Sequence, residues 1–417
     1  MNEFSYIFLF FLVASTLLTL WLNKRQIMHI MHHRNSVPSD FSDKIDLTAH
    51  QKAADYTIAK TKIDNLQTLL SAGILIILTL GGLINVILET SQTYLYSDIW
   101  AGVSLVLFVF VLSHLIGLPL SVYQTFKVEQ YFGFNRTTVT QFIKDQFLQL
   151  SLMFVIGIPL LYALLWVMDK MGTYWWLYAW ILTISFTFFM TWLVPTVIAP
   201  LFNKFTPLEE GELKSKITQL FERCGFNSKG IYIMDGSKRS GHGNAYFTGI
   251  GNNKRIVFFD TLIDALSPDE IEAVLAHELG HFKCKHILKQ MLTSTLITLI
   301  GFAILGVLKQ QNWFFEGLGV LQNNNAVALL LFILVMPVFT TFLQPFSSHL
   351  QRKFEFEADA FASTMANPEH LIQALVKLYR ENASTLTPDP LYSSFHHSHP
   401  PAGVRINHLK ELAHKAY

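Results

Sequence analysis

Seven apolar stretches, each long enough to cross a bilayer as a helix, constrain this chain more than any other feature of its sequence. A helix needs about 20 mostly apolar residues to cover a hydrocarbon core roughly 30 Å thick. Such runs lie at about 4–22, 67–88, 100–121, 148–168, 174–199, 287–308 and 326–345. Composition agrees, because 51% of the 417 residues are hydrophobic and only 15% are charged, against about a quarter charged in soluble domains. Within a bilayer every backbone polar group needs an internal partner, which a helix supplies. The first run follows Met-Asn-Glu rather than a basic flank, and it ends at Asn23-Lys24-Arg25 rather than at a small-residue cleavage site. It is expected to be a retained span, not a signal peptide.

Orientation follows from the basic residues. Of the 31 Lys and Arg, 29 fall in the segments after spans one, three, five and seven, counting Lys289 at the start of span six with the segment before it. The other loops hold two. This predicts an N-terminus outside or in a lumen and a C-terminus in the cytoplasm, in a bacterial inner membrane or an ER-type membrane. A net charge near +1 gives no surface for nucleic acid. Two cysteines, Cys224 and Cys284, are too few for a disulfide framework and read as free thiols in a reducing compartment.

Four segments result. Residues 1–199 hold five spans, 200–286 a cytoplasmic α/β unit, 287–345 two spans, and 346–417 a cytoplasmic C-terminal region. Within the α/β unit, 209–226 has helical spacing, while 231–235, 244–250 and 255–260 read as strands. Gly251-Asn252-Asn253 supplies a hairpin turn between the last two. A helix then opens at Ser267 (N-cap), with Pro268 at its first position and Glu270 completing a capping box.

That helix ends in VLAHELGHFKCKH, Val274 to His286. His277 and His281 are four residues apart, so both imidazoles project from one helical face and can share one Zn²⁺. Glu278 is adjacent and not a ligand, and it can take the proton of a metal-activated water. The third ligand is not local. An extended HExxHxxGxxH form would need Gly at 284 and His at 287, where this chain has Cys284 and Ile287. No Asp or Glu occurs from Phe282 to Phe315, and Glu316 falls on the wrong side of the membrane. The first carboxylates back on the right side are in RKFEFEADAFA, on a helix expected beyond span seven. There Glu355 and Asp359 share a face. The simplest assignment makes Glu355 the ligand and Asp359 an acceptor for an imidazole N–H. His286, five residues past His281 and off the shared face, is the alternative ligand. In the plainest reading these carboxylates only decorate a surface, with Glu357 and Lys353 as a solvated pair.

HELGH followed far downstream by EFEAD, between paired spans, resembles the type I CAAX prenyl endopeptidase family of integral-membrane zinc metalloproteases. DYTIAKTKI, EQYFGFNRTT, APLFNKFTPLEEGEL, KRSGHGNAYFTGIGNNKRIVFFDTL and FHHSHPPAGVRINHL look like segments of that family, in order. The resemblance implies seven transmembrane helices forming a hollow barrel around a water-filled chamber, with one zinc held by His277, His281 and Glu355. It makes Glu278 the general base. His399 of SHPP would hydrogen-bond the scissile carbonyl, and Arg405 would fix that loop. Asn244, Ala245 and Tyr246 match the edge that binds substrate, where an extended peptide can add through main-chain hydrogen bonds. Cys284 and His286 are left without a role. The implied reaction is release of the last three residues after a prenylated cysteine, by a monomer in its bilayer. Two alternatives stand beside it. One is a membrane quality-control protease without prenyl specificity. The other is a non-proteolytic transporter or scaffold with structural zinc, which would have no use for Glu278.

Overall fold

The protein is described here from a computed structural model, over residues 1–228, 230–248 and 255–415. Seven helices are long and apolar enough to cross a membrane: Glu3–His33, Leu47–Leu78, Asp98–Phe132, Val139–Lys170, Gly172–Phe202, His286–Leu308 and Asn325–Met365. They are called spans one to seven. With 23 to 41 residues each, they are about 35–60 Å long. Most therefore outrun the hydrocarbon core and continue as walls beyond it.

Span two departs from expectation. The apolar run at 67–88 is not one helix, because the helix begins at Leu47 and stops at Leu78. Gly82, at φ +76, then turns the chain into a separate short helix, Leu83–Tyr94. Hydropathy misses the first half of span two because that half is polar on one face. Lys60 and Asp64 line one cavity there, and Gln67, Thr68 and Ser71 line another.

Of three hydrophobic clusters among the described residues, the two large ones lie at opposite ends of the spans. At one end of the spans, Leu78, Ile84, Leu88, Phe314, Phe315 and Leu330 are nearly or fully buried where the short helices Leu83–Tyr94 and Asn312–Gly317 close the barrel. At the other end, Ile217, Leu220, Phe258, Leu275, Leu371 and Ile406 surround the HELGH helix. Each such side chain contributes about 1.5–3 kcal/mol on burial. Between the cores burial is sparse, and the most apolar stretch of span five has no buried residue. The spans thus wall a hollow barrel. Ser15, Thr19, Gln67, Ser71 and Ser113 line a cavity of about 470 Å³ inside it, which explains hydroxyls and amides in otherwise apolar helices.

The small sheet contains β1 (Phe205–Pro207), β2 (Gly230–Met234), β3 (Ala245–Thr248) and β4 (Arg255–Phe259), in the order β1-β2-β4-β3. β2 and β4 are parallel, and the outer strands are antiparallel to their neighbours. Three strands match the alternating segments of the sequence. β1 was not anticipated, being three residues long and ending in proline. The turn expected at Gly251-Asn252-Asn253 lies outside the described residues. The helix expected over 209–226 spans Glu212–Cys224 and buries Ile217, Leu220 and Phe221.

The HELGH helix runs from Pro268 to Lys283. The Ser267 hydroxyl accepts the Glu270 N–H, and the Glu270 carboxylate accepts the Ser267 N–H at 2.7 Å. This is the capping box read from the sequence. After Cys284, Lys285 takes a left-handed conformation at φ +56 and span six starts at His286. Span seven does not end at the bilayer. After a tight turn at Thr341–Leu343 it continues as Gln344–Met365, carrying Glu355 and Asp359. The helix expected beyond span seven is its continuation.

These two helices meet at Gly280, where a Cβ would lie 2.9 Å from both the Cα and the carbonyl oxygen of Ala358. Nothing larger than glycine fits without moving backbone. Gly280→Ala is therefore expected to cost about 1–3 kcal/mol through overpacking, seen as a lower thermal unfolding temperature in detergent, with reduced metal retention on purification.

Candidate metal centre

The close approach at Gly280 sets His277 and His281, one turn apart on the HELGH helix, against Glu355 of span seven. The two Nε2 atoms are 3.2 Å apart. Glu355 Oε1 lies 3.2 Å from His281 Nε2, and Oε2 lies 3.6 Å from His277 Nε2. Tetrahedral coordination with arms of about 2.0–2.2 Å separates ligand atoms by roughly 3.3–3.6 Å, so the three donors fit one ion. Glu355 Oε2 is buried without a hydrogen-bond donor in suitable geometry, although His399 Nδ1 is only 2.7 Å away. A buried carboxylate oxygen left this way calls for a cation. Burial, the largest single influence, pulls the His281 imidazole down, but the hydrogen bond and charge of Glu355 and the charge of Glu278 together leave the group raised, so a positive charge is favoured here. Two imidazoles and a carboxylate leave the fourth position open, the donor set of a catalytic rather than a structural site.

Behind the donors, Asp359 is fully buried, with Oδ1 2.8 Å from His277 Nδ1. Arg405 Nε donates to Asp359 Oδ2 at 2.9 Å, and its Nη1 lies 3.5 Å from Glu355 Oε2. Burial works against the Arg405 charge, but the Asp359 carboxylate overrides it and holds the guanidinium's pKa raised. Asp359, Arg405 and Glu355 thus form one fully desolvated network, in which each charge has an opposite partner.

Glu278 is half-buried beside the donors and has no hydrogen-bond or ion-pair partner among the described residues. His399 is largely exposed at the rim. His286 does not reach the three-donor group. It is buried, with Nδ1 3.0 Å from His281 Nδ1 and Nε2 2.9 Å from Glu357. Glu357 also lies 3.6 Å from Lys289, so the expected surface pair with Lys353 is replaced by contacts to span six. The chain from His281 through His286 to Glu357 was missed because the left-handed turn at Lys285, invisible to periodicity, swings His286 back onto the motif.

The strand segment at Asn244, Ala245 and Tyr246 is fixed from outside the sheet. The Asn244 carbonyl accepts the Phe259 N–H at 2.9 Å. Just before it, the Asn382 side chain accepts the Gly243 N–H at 3.0 Å and donates to the Gly243 carbonyl at 3.3 Å. His242 stacks on Phe134, with centroids 4.3 Å apart. Sequence reading overlooked Asn382 and His242, which have no motif around them. β3 pairs only with β4 among the described strands, so its other edge has no partner strand among them.

Two family models together match most of the chain. One, described as CAAX prenyl protease N-terminal, five membrane helices, covers residues 26–204, and one described as peptidase family M48 covers residues 207–413. CAAX prenyl protease 1 of Saccharomyces cerevisiae is 38% identical over 320 residues, 73% of this chain and 71% of the relative. The CAAX prenyl protease 1 homolog of Dictyostelium discoideum is 33% identical over 93% of this chain and 92% of its own length. The crystal structure of S. mikatae Ste24p matches with a TM-score of 0.91 at 33% identity, covering 98% of this chain and 99% of that one.

The loop carrying His399 has its own pH sensitivity. Burial, aided by His396 and Arg352, pushes the His397 imidazole from its ordinary 6.5 down to about 4. Between these values the unfolded chain binds a proton that the folded chain refuses, so stability falls as pH drops through this window. Thermal unfolding followed from pH 6.5 to pH 4 is expected to show that fall, and His397→Gln to make it shallower.

Proposed function

Since the chain belongs to peptidase family M48, in its CAAX prenyl protease branch, we propose that it is a membrane zinc endopeptidase that removes the C-terminal tripeptide from prenylated CAAX peptides or proteins. The observation that carries this reading is the convergence of His277, His281 and Glu355 beside an unpaired Glu278. The ligand set is complete within one chain, so a monomer suffices. The basic residues crowd the side of the membrane that bears the site, which makes that side cytoplasmic.

His277, His281 and Glu355 hold the metal, which when bound polarises a carbonyl and makes water nucleophilic near neutral pH. Asp359 accepts the His277 Nδ1–H, which fixes the tautomer that turns Nε2 toward the ion. Arg405 holds Asp359 in place. Glu278 accepts the proton of the attacking water and returns it to the leaving amine. His399, at the rim, donates to the scissile carbonyl oxygen as negative charge develops there. Asn244, Ala245 and Tyr246 offer the outer edge of the sheet to an extended peptide, whose main chain adds as a further strand.

Beside that edge, Tyr246 and Thr248 face Met190, Val194 and Pro195 of span five across a cavity of about 510 Å³. Its walls suit an apolar chain attached to the peptide. Main-chain pairing makes little demand on sequence, so unprenylated peptides are the competing substrate class.

Cleavage of a farnesylated CAAX peptide should exceed that of its unprenylated twin, while equal rates would point to the quality-control alternative. Glu278→Gln should lose about 10²–10⁴-fold in kcat with its metal retained. Metal analysis by mass spectrometry separates the other roles. Glu355→Ala should purify without stoichiometric zinc, and Asp359→Asn should bind zinc about 10–100-fold more weakly.

A further inference from the structure

We propose that Cys284, His286 and Glu357 form a second cation site, taking thiophilic divalent ions such as Zn²⁺ or Cd²⁺, and that filling it opposes the reaction at the first. One ligand atom from each of the three lies within 4.8 Å of the others. The site lies where the HELGH helix, span six and the continuation of span seven meet, beside the first. Cys284 ends the HELGH helix, the left-handed Lys285 turns the chain, and His286 opens span six. Glu357 stands two residues past Glu355 on the continuation of span seven.

The donor set is a thiol, an imidazole and a carboxylate. A thiolate favours zinc or cadmium over magnesium or calcium, and on ligation the thiol proton leaves to solvent. His286 is buried, whereas Cys284 and Glu357 are partly open, so an ion enters from their side. Lys289, 3.6 Å from Glu357, competes for the carboxylate and makes this the weaker site. It fills only after the first.

The two sites are joined through His281. With Nε2 of His281 turned to the first ion, its Nδ1 carries the proton and donates to His286 Nδ1 at 3.0 Å. His286 must then carry its own proton on Nε2, donated to Glu357 at 2.9 Å. A cation on His286 Nε2 takes that proton's place, and the neutral imidazole keeps its proton on Nδ1 instead. Two N–H groups then face each other, and His281 loses the acceptor that orients it. The opposition to catalysis rests on the peptidase reading, whereas the cation site itself does not.

The test uses the full chain in detergent. Stepwise Co²⁺ addition to the metal-free protein should give ligand-field absorption at the first equivalent. The second should add a thiolate-to-cobalt charge-transfer band in the near ultraviolet. Cys284→Ser should abolish only the band, and Cys224→Ala should keep it. In parallel, free Zn²⁺ beyond one equivalent should inhibit cleavage of the farnesylated peptide, and Cys284→Ser should raise the half-inhibiting concentration about tenfold or more, each protein being scaled to its own activity at one equivalent. The proposal is overturned by a wild type without the band, by a band that survives Cys284→Ser, or by an unchanged inhibiting concentration. If no peptide is cleaved while the band appears, the peptidase reading fails and the cation site stands.

Discussion

The contact between Gly280 and Ala358 is the constraint on which the site depends. His281 and Glu355 are 74 residues apart in sequence, and two spans with their loops lie between them. With a bare glycine on one helix and an alanine on the other, backbone meets backbone. The donor atoms then come within 3.2–3.6 Å. The buried Asp359–Arg405 pair locks the same interface from behind, and Arg405 itself comes from the last helix of the chain.

The hollow barrel makes the opposite use of packing. A bundle of seven spans would normally bury its inner faces, yet these spans bury side chains mainly near their ends. The hydroxyl and amide groups that face inward on spans one, two and three are affordable because water, not lipid, meets them. The first half of span two hides from a hydropathy window because it carries four charges, at Lys52, Asp55, Lys60 and Lys62. The chamber and the metal centre are thus consequences of one arrangement, in which long helices enclose a space closed by a core at one end and by the catalytic unit at the other.

Much of the site was legible in the sequence because its parts follow helical periodicity. His277 and His281 share a face by their spacing, and Ser267 and Glu270 announce where their helix begins. Glu355 and Asp359 also lie one turn apart, and elimination along the chain leads to them. What stayed hidden depends on contacts without a period. His286 was set aside because its place on an ideal helix points away from His281, but the helix ends before it, at a left-handed lysine. Glu357 lies off the face shared by Glu355 and Asp359, and nothing on its own helix announces the contact with His286. Asn382 and His242 fix the chain at the start of β3 from a distant helix and a loop, and no local pattern marks them.

By itself, the sequence determined the membrane class, the number of spans and the helix that presents HELGH. Each of these follows from hydrophobic length or the 3.6-residue repeat, which are properties of contiguous residues. Only the tertiary structure decided how closely Glu355 approaches the histidines, where span two begins, and that Cys284 and His286 stand beside a second carboxylate. Those outcomes depend on how closely two helices approach and where a chain turns, and both are set by backbone sterics at a few positions.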